Sequence, residues 1–209
     1  MSSLDDQPMS FLDQLTVPNL SDRIRELEAD LQASPMRHHV YSDLPFAIFC
    51  YPPREEWAMR REIGLLTTRL ERDTDRYIVT ISLAELLWQA VKESEGVEAI
   101  AALERQQGFE AAQLQIQDYL SDPDWRPLPD LLAERLAPLD PQRHIGFIVR
   151  AGALAPSVYR VSTLLDQMKG RTEVPCVLFM PATTEGGGIR FMGISENEGR
   201  GSYHTKVYL

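Results

Sequence analysis

Two short segments of the chain are apolar at almost every position, and they constrain its fold more than any other feature. Residues 46–51 read Phe-Ala-Ile-Phe-Cys-Tyr, and residues 174–180 read Val-Pro-Cys-Val-Leu-Phe-Met. A strand with one face in water alternates apolar and polar residues, whereas a strand covered on both faces does not. The first run therefore predicts a strand buried on both faces, and the second predicts another strand of the same sheet.

Two further segments, residues 76–81 and 144–149, also predict strands, because they are rich in apolar and β-branched residues. Amphipathic patterns with helical spacing separate the four strands. Asn19 or Ser21 can cap the helix that precedes them, and Ser82 with Glu85 forms a capping box after the strand at 76–81. The alternation of strands and helices predicts an α/β fold with a mostly parallel sheet of about four core strands flanked by helices. Residues 82–137 hold one helical stripe after another and predict a helical insertion between strands.

The C-terminal part of the sequence changes its pattern. Residues 189–194 and 203–209 predict strands with no helix between them, so we expect a C-terminal antiparallel hairpin at the sheet edge, joined by a polar loop at 196–202. At the other end, residues 1–18 hold few periodic apolar positions and predict a flexible arm. The expected organisation is this arm followed by a single α/β domain over residues 19–209.

Charge and cysteine content limit the classes of function. The chain has 209 residues with 31 acidic and 21 basic side chains, a net charge of −10. Tight DNA binding depends on lysine and arginine, so no direct sequence-specific contact with nucleic acid is expected. No apolar run approaches the roughly 20 residues of a membrane-spanning helix, and no membrane partner is expected. Cys50 and Cys176 lie inside predicted strands, which indicates reduced core thiols in a cytoplasmic protein.

Catalytic motifs are missing where an α/β protein usually carries them. Neither a P-loop nor a G-x-G-x-x-G pattern follows any predicted strand, and there is no G-x-S-x-G elbow. The glycines at 186–188 precede a strand rather than a helix, which is typical of a turn. The histidines lack the spacing of a metal site. We therefore expect no catalytic residue, no metal and no cofactor.

The carboxyl end of the third predicted strand carries the most suggestive polar residues. Arg150 ends that strand, and Tyr159 and Arg160 follow closely. Open α/β sheets usually bind ligands at the carboxyl ends of their strands, and paired arginines bind carboxylates or other anions. These residues are candidates for binding a partner or an anion. The alternative is that Arg160 pairs internally and only anchors the loop.

A second candidate loop follows the first predicted strand, where Tyr51, Pro52 and Pro53 replace the glycines of a phosphate-binding loop. Prolines have no backbone N–H to donate, so a phosphate cradle there is disfavoured. An arginine-rich segment comes next: Arg54, Arg60, Arg61, Arg69, Arg72 and Arg76. Pairing with nearby glutamates on a solvated helix is the favoured interpretation, and DNA contact through the 54–76 stretch is the alternative.

The order of these segments resembles the BrxB family of bacteriophage-exclusion (BREX) defence systems. The resemblance rests on residues 45–53, on Tyr159-Arg160 with the following leucines, on residues 174–181 and on residues 189–193. It runs from about residue 20 to the end. The family usually has an aromatic–arginine pair in the terminal strand, where this chain has Tyr203 and His204. Those two residues are also candidates for a partner-binding or anion-binding surface.

The resemblance implies an accessory or adaptor component without catalytic activity of its own. Such a protein works beside a large ATPase, a PglZ-like protein and a DNA methyltransferase. Our leading hypothesis is that this chain binds its partner proteins through the sheet edge and the 150–160 loop. The rival hypothesis is a nucleotide-binding or hydrolytic α/β domain with a degenerate site near residues 51–53, Arg150 and residues 181–184. The sequence does not indicate an oligomeric state.

Overall fold

The computed structural model describes residues 19–37, 44–155, 158–185, 188–194 and 205–209 of the chain. The helices are α1 (Leu20–Gln32), α2 (Glu56–Asp73), α3 (Leu83–Glu93), α4 (Val97–Gln107), α5 (Phe109–Ser121), α6 (Leu128–Leu136) and α7 (Val161–Met168). The strands are β1 (Phe46–Tyr51), β2 (Tyr77–Ser82), β3 (His144–Val149), β4 (Cys176–Glu185), β5 (Gly188–Phe191) and β6 (Lys206–Tyr208). Short 3₁₀ turns at Pro53–Glu55 and Ala151–Leu154 follow β1 and β3.

The strands form one sheet in the order β2-β3-β4-β1-β6, with β5 attached to β4. Every neighbouring pair along that order is parallel, whereas β5 runs antiparallel to the end of β4. The predicted α/β class with a mostly parallel sheet is confirmed. The long connection from β1 reaches β2 at the far edge through α2, and the chain then returns through β3 to β4.

Both faces of the sheet are covered, which explains the continuous apolar run at β1. Ile48 and Cys50 belong to a core cluster with α3, α6 and α7, while Phe49 and Tyr51 belong to a second cluster with α1 and α2. All six residues of β1 are buried. Full burial of one large apolar side chain stabilises a fold by about 1.5–3 kcal/mol, so the two clusters are the main source of stability.

Two helices begin at side-chain caps that the sequence predicts. The Asn19 side-chain oxygen accepts a hydrogen bond from the Asp22 amide at 3.0 Å, so Asn19 rather than Ser21 caps α1. The Ser82 hydroxyl accepts from the Glu85 amide at 3.3 Å at the start of α3. Each cap satisfies an amide that has no partner within its helix.

The predicted helical insertion consists of α3, α4, α5 and α6, and it connects the adjacent strands β2 and β3. Helices α3 and α6 pack on the sheet through Leu86, Leu132 and their neighbours. Helix α4 has no buried residue and packs mainly against α5. None of the helices in the described part of the chain is both long and apolar enough to cross a membrane.

The C-terminal strands differ from the prediction in their partners. An antiparallel hairpin is present, but β4 and β5 form it, with Thr183 opposite Arg190. Strand β6 does not pair with β5 and instead lies parallel to β1 at the sheet edge. The Thr205 hydroxyl donates to the Phe46 carbonyl and holds it there. The expectation of antiparallel pairing for this last strand was wrong. Strand β4 pairs with one edge of β1 and leaves the other edge open, and β6 pairs there in parallel. The loop predicted at 196–202 lies outside the described residues.

Candidate functional site

The carboxyl ends of the parallel strands surround a cleft of about 450 Å³. Strand β1 continues into α2 on one face of the sheet, and β3 continues toward α7 on the other, so the two neighbours of β4 diverge. A divergence of this kind opens a crevice at the carboxyl ends of an α/β sheet. The residues lining this carboxyl-edge cleft are Tyr51, Glu56, Met59, Arg60, Ile63, Thr80, Ser82, Ala84, Glu85, Trp88, Val149, Arg150 and Phe179.

A hydrogen-bonded group of three side chains occupies one wall of the cleft. The Tyr51 hydroxyl donates to Glu56 Oε2 at 2.5 Å, and Arg60 Nε donates to Glu56 Oε1 at 2.8 Å. Burial, followed by the neighbouring Glu56 carboxylate, raises the pKa of Tyr51 far above its ordinary value. Tyr51 therefore stays protonated near neutral pH, and both oxygens of Glu56 are already engaged. These two hydrogen bonds fix the wall of the cleft.

Arg150 also lines the cleft, as the first residue after β3. Its backbone is left-handed, with φ of 63°, and its side chain is exposed. Its positive charge slightly lowers the pKa of Tyr51, while burial and Glu56 raise it. The Arg150 side chain has no hydrogen-bond or ion-pair partner among the residues that the structure describes, although its backbone carbonyl accepts from the Ala153 amide. Its guanidinium is therefore free to bind an incoming carboxylate or other anion.

Tyr159 and Arg160 do not join Arg150 in the cleft. Tyr159 is buried against the cluster under α7, and its hydroxyl donates to Gln167 Oε1 at 2.5 Å. Burial raises the pKa of Tyr159 to about 12. Arg160 is exposed at the start of α7. Tyr159 is thus a packing residue in this structure. Binding of one anion or partner carboxylate by Arg150 and Arg160 together stays a prediction.

The two predicted residues of the terminal strand, Tyr203 and His204, lie outside the described residues. The strand that follows them is anchored by α1, since the Tyr208 hydroxyl donates to Asp30 Oδ2 at 2.8 Å. A contribution of Tyr203 and His204 to a binding surface therefore stays a prediction.

The loop after β1 belongs to a second hollow of about 560 Å³. The residues lining this proline-loop cavity are Asn19, Leu20, Arg23, Cys50, Tyr51, Pro52, Pro53, Arg54, Glu55, Ala182, Thr183, Thr184 and Leu209. The single pocket suggested by the sequence is thus divided in two: Arg150 lines the carboxyl-edge cleft, and Pro52 and Pro53 line the proline-loop cavity. Tyr51 lines both.

Arg23 is the unusual residue of the proline-loop cavity. It is only 8% exposed, and its Nη1 donates to the Cys50 carbonyl at 2.7 Å. The guanidinium lies 5.2 Å from the centre of the Phe49 ring. Among the described residues, its Nε has no hydrogen-bond partner and no carboxylate forms an ion pair with it. Burial lowers the pKa of Arg23, although the nearby Cys50 and Glu55 oppose the shift.

Both cysteines are free and buried, as the sequence predicted. Burial raises the pKa of the Cys50 thiol to about 12, with Arg23 opposing the shift. Burial also raises the pKa of the Cys176 thiol, and the Cys176 thiol contacts the Val174 carbonyl. A protonated thiol is a poor nucleophile and a poor metal ligand. Within the described ranges, no three metal-ligating side chains converge.

Three of the six arginines in the 54–76 stretch form ion pairs. Arg60 pairs with Glu56 on the same helix, as the favoured interpretation expected. Arg69 instead binds Glu28 of α1, with Nε 2.9 Å from both carboxylate oxygens. Arg72 pairs with its neighbour Asp73. These pairs reduce the positive charge that the stretch offers to a phosphate backbone.

Sequence reasoning missed two exposed tryptophans. Trp57 is 77% exposed and Trp88 is 51% exposed. Trp88 lines the carboxyl-edge cleft, and Arg60, on the cleft wall, lies 4.6 Å from the centre of the Trp57 ring. A signal was available, because Trp57 falls off the apolar stripe of α2 that includes Met59 and Leu70.

Fold and cleft together define a doubly wound α/β protein with a crevice at the carboxyl ends of its strands. The family model described as BREX protein BrxB matches residues 79–206, more than half of the chain. The chain belongs to the BrxB family, and it is therefore a component of BREX anti-phage defence. No curated protein and no solved structure matches it. The family match includes Trp88 and Arg150 and begins after Arg23 and Arg54.

Proposed function

We propose that this chain is a non-catalytic accessory component that binds other BREX proteins at the carboxyl-edge cleft. The observation that carries the proposal is the exposure of Trp57 and Trp88 beside that cleft. Tryptophan and arginine are enriched among the residues that dominate the binding energy of protein interfaces. Trp88, Arg150 and the Trp57–Arg60 pair are therefore expected to contact the partner.

The chemistry of the cleft supports binding rather than catalysis. Tyr51 and Glu56 are locked in a short hydrogen bond, and Arg60 holds the second oxygen of Glu56. Arg150 is the cation of the cleft without a partner among the described residues, and it suits an acidic side chain of a partner. Trp88 as an aromatic anchor and Arg150 as a free cation are sufficient for a protein interface and do not require a catalytic group.

The expected partners are the large ATPase, the PglZ-like protein and the DNA methyltransferase of the same system. Arg160 is exposed at the start of α7, in the same loop segment as Arg150, and is expected to contact the partner at the edge of the interface. The net charge of −10 disfavours tight binding to the phosphate backbone of DNA, so DNA contact is expected to be made by those other proteins.

Co-purification of the tagged chain with each of these components from the same BREX system tests the proposal. We expect at least one component to be retained, and Trp88→Ala and Arg150→Glu to weaken its binding by tenfold or more, about 1.4 kcal/mol or above. Tyr77→Ala is the matched control, because Tyr77 is 52% exposed at the opposite, amino end of β2.

The control variant is expected to bind like the unaltered chain. Retention of none of the three components would contradict the proposal, and so would equal losses in the Tyr77 and Trp88 variants. Circular dichroism of each variant separates a lost contact from a lost fold.

The rival hypothesis of a nucleotide-binding or hydrolytic domain predicts that nucleotides stabilise the chain. A ligand that binds only the native state must raise the apparent melting temperature. A thermal-shift series with adenine and guanine nucleotides, repeated with Arg150→Glu, separates the two functions. Stabilisation that disappears in this variant would favour the rival.

A further inference from the structure

We infer that the proline-loop cavity is a binding site for the phosphate group of a small molecule, with Arg23 and Arg54 as its anion-binding residues. This site is separate from the proposed partner surface, because neither arginine lines the carboxyl-edge cleft. The inference therefore does not depend on the proposed function.

The main argument is the environment of Arg23. A buried charge is unfavourable unless it is paired, and arginines that are more than nine-tenths buried normally face a carboxylate. Arg23 is 8% exposed, yet its interactions are one backbone carbonyl and the face of Phe49. Its Nε has no partner in the described part of the chain. Glu55 is near enough to act on this charge but forms no ion pair with Arg23, so an anion in the adjoining cavity would supply a directly bonded counter-charge.

Other positive groups also lie at the cavity. Arg54 is exposed on its wall and forms no ion pair with any described residue. Among the side chains that line the cavity, Arg23 and Arg54 carry positive charges and Glu55 carries a negative one, in a chain whose total charge is −10. The N-terminus of the 13-residue helix α1 lies at the same cavity through Asn19 and Leu20, and its partial positive charge favours anions.

Hydroxyl groups and size complete the argument. Thr183 and Thr184 line the cavity, and the Thr183 hydroxyl is buried without a partner among the described residues. A hydroxyl can donate to a phosphate oxygen, and a guanidinium can donate two parallel bonds to it. The site would therefore use side-chain donors in place of the backbone amides that Pro52 and Pro53 lack. The volume of about 560 Å³ falls within the range of about 300–1,000 Å³ that small-molecule pockets occupy.

Titration of the full chain with inorganic phosphate and with a nucleoside monophosphate, at constant ionic strength, tests the inference by ³¹P NMR and melting temperature. We expect saturable binding and a raised melting temperature. Arg54→Gln is expected to weaken binding about tenfold, because it removes a charge-assisted contact from an exposed position without disturbing the core. Arg25→Gln is the matched control: Arg25 is exposed on α1 and pairs with Asp22 at 2.9 Å.

Comparison of inorganic phosphate with the nucleoside monophosphate shows whether the site prefers free phosphate or the phosphate group of an organic molecule. Tighter binding of the nucleotide indicates an organic phosphate, and equal binding indicates that free phosphate suffices; both outcomes support the site. Succinate at the same ionic strength is the control for a general dianion. Binding of succinate as tight as phosphate would overturn the assignment, as would no binding, or equal losses in the Arg54 and Arg25 variants. Arg23→Lys keeps the positive charge but removes the planar guanidinium that can donate two parallel hydrogen bonds. This variant is expected to weaken phosphate binding while the fold persists.

Discussion

Tyr51 is the residue where the two hollows of this protein meet. Its ring is buried at the end of β1 and lines both the carboxyl-edge cleft and the proline-loop cavity. The short hydrogen bond to Glu56 fixes the ring to the first turn of α2. The following prolines direct the chain into that helix, since their fixed φ suits a helix start. One side chain thus keeps a candidate partner surface apart from a candidate anion site.

Gly146 of β3 shows how tightly the centre of the sheet is packed. A Cβ atom at this position would lie 2.9 Å from the sulfur of Cys176 and 3.3 Å from a methyl group of Leu136. Both neighbours are almost fully buried and have little room to move. We expect Gly146→Ala to lower the free energy of unfolding by about 1–3 kcal/mol, as overpacked core substitutions do.

Urea denaturation measures this effect, and Gly64→Ala is its control. Gly64 lies in the exposed part of α2, and a Cβ there would meet nothing within 4 Å. Alanine is the better helix former, so this variant is expected to gain up to about 1 kcal/mol. Equal stability of the two variants would show that the β3–β4 contact is looser than the structure indicates.

At the scale of elements, the edge strand β6 depends on helix α1. Asp30 of α1 is 7% exposed and accepts hydrogen bonds from Tyr208 and Lys206, while Arg37 lies 3.3 Å away. Burial alone would raise the pKa of Asp30, but the bonds from Lys206 and Tyr208 outweigh it and hold the pKa below its ordinary value of 3.8. The α1 helix therefore secures β6 against β1 with a charged group.

We expect Asp30→Asn to lower the free energy of unfolding by about 1–3 kcal/mol at neutral pH, because it removes the buried carboxylate that pairs with Lys206 and leaves the more distant Glu26, at 3.8 Å. A carboxyl group whose pKa is depressed by folding stabilises the protein above its unfolded pKa, and that contribution is lost as the pH falls through the folded pKa. The difference between the variant and the unaltered chain should therefore narrow below about pH 3.8.

Urea denaturation at about pH 7 and about pH 3 measures that difference. Asp22→Asn on the same helix is the control, because its exposed pair with Arg25 is expected to contribute no more than about 1 kcal/mol. A difference for Asp30→Asn that persists unchanged in acid would mean that the effect is steric rather than electrostatic.

At the scale of the whole molecule, one sheet joins two core clusters. Phe179 of β4 is fully buried in the cluster under α1 and α2, with ring centres 5.1 Å from Phe147 and 5.8 Å from Phe49. The other cluster uses alternate residues of the same strands. Because every central strand contributes to both clusters, we propose that residues 19–209 unfold as one cooperative domain.

Phe179→Ala tests that proposal by calorimetry. The cavity it leaves is expected to lower the free energy of unfolding by about 3–5 kcal/mol, and the melting temperature should fall while a single transition remains. Phe109→Ala is the control, since Phe109 is 64% exposed and should change stability by no more than about 0.5 kcal/mol. A second transition that stays unmoved by Phe179→Ala would indicate two independent units.

Local patterns in the sequence were sufficient for the elements and for the fold class. The runs at β1 and β3 predicted both strands to the residue. The candidate caps predicted where two helices begin, although the choice of Asn19 over Ser21 came from the structure. These predictions succeed because burial on both faces and capping are properties of neighbouring residues. The order of the segments likewise predicted the BrxB family, to which the chain belongs.

The tertiary structure alone decided which distant residues meet. Strand β6 pairs with β1 because β1 has an open edge, and no local pattern reveals that edge. The burial of Arg23 beside the loop of Pro52 and Pro53, and the place of Trp88 at the carboxyl-edge cleft, likewise depend on how α1, α2 and α3 pack on the sheet. The sequence by itself determined the strands, the helices and the family. The two candidate sites exist only because packing brings together residues that are far apart in the chain.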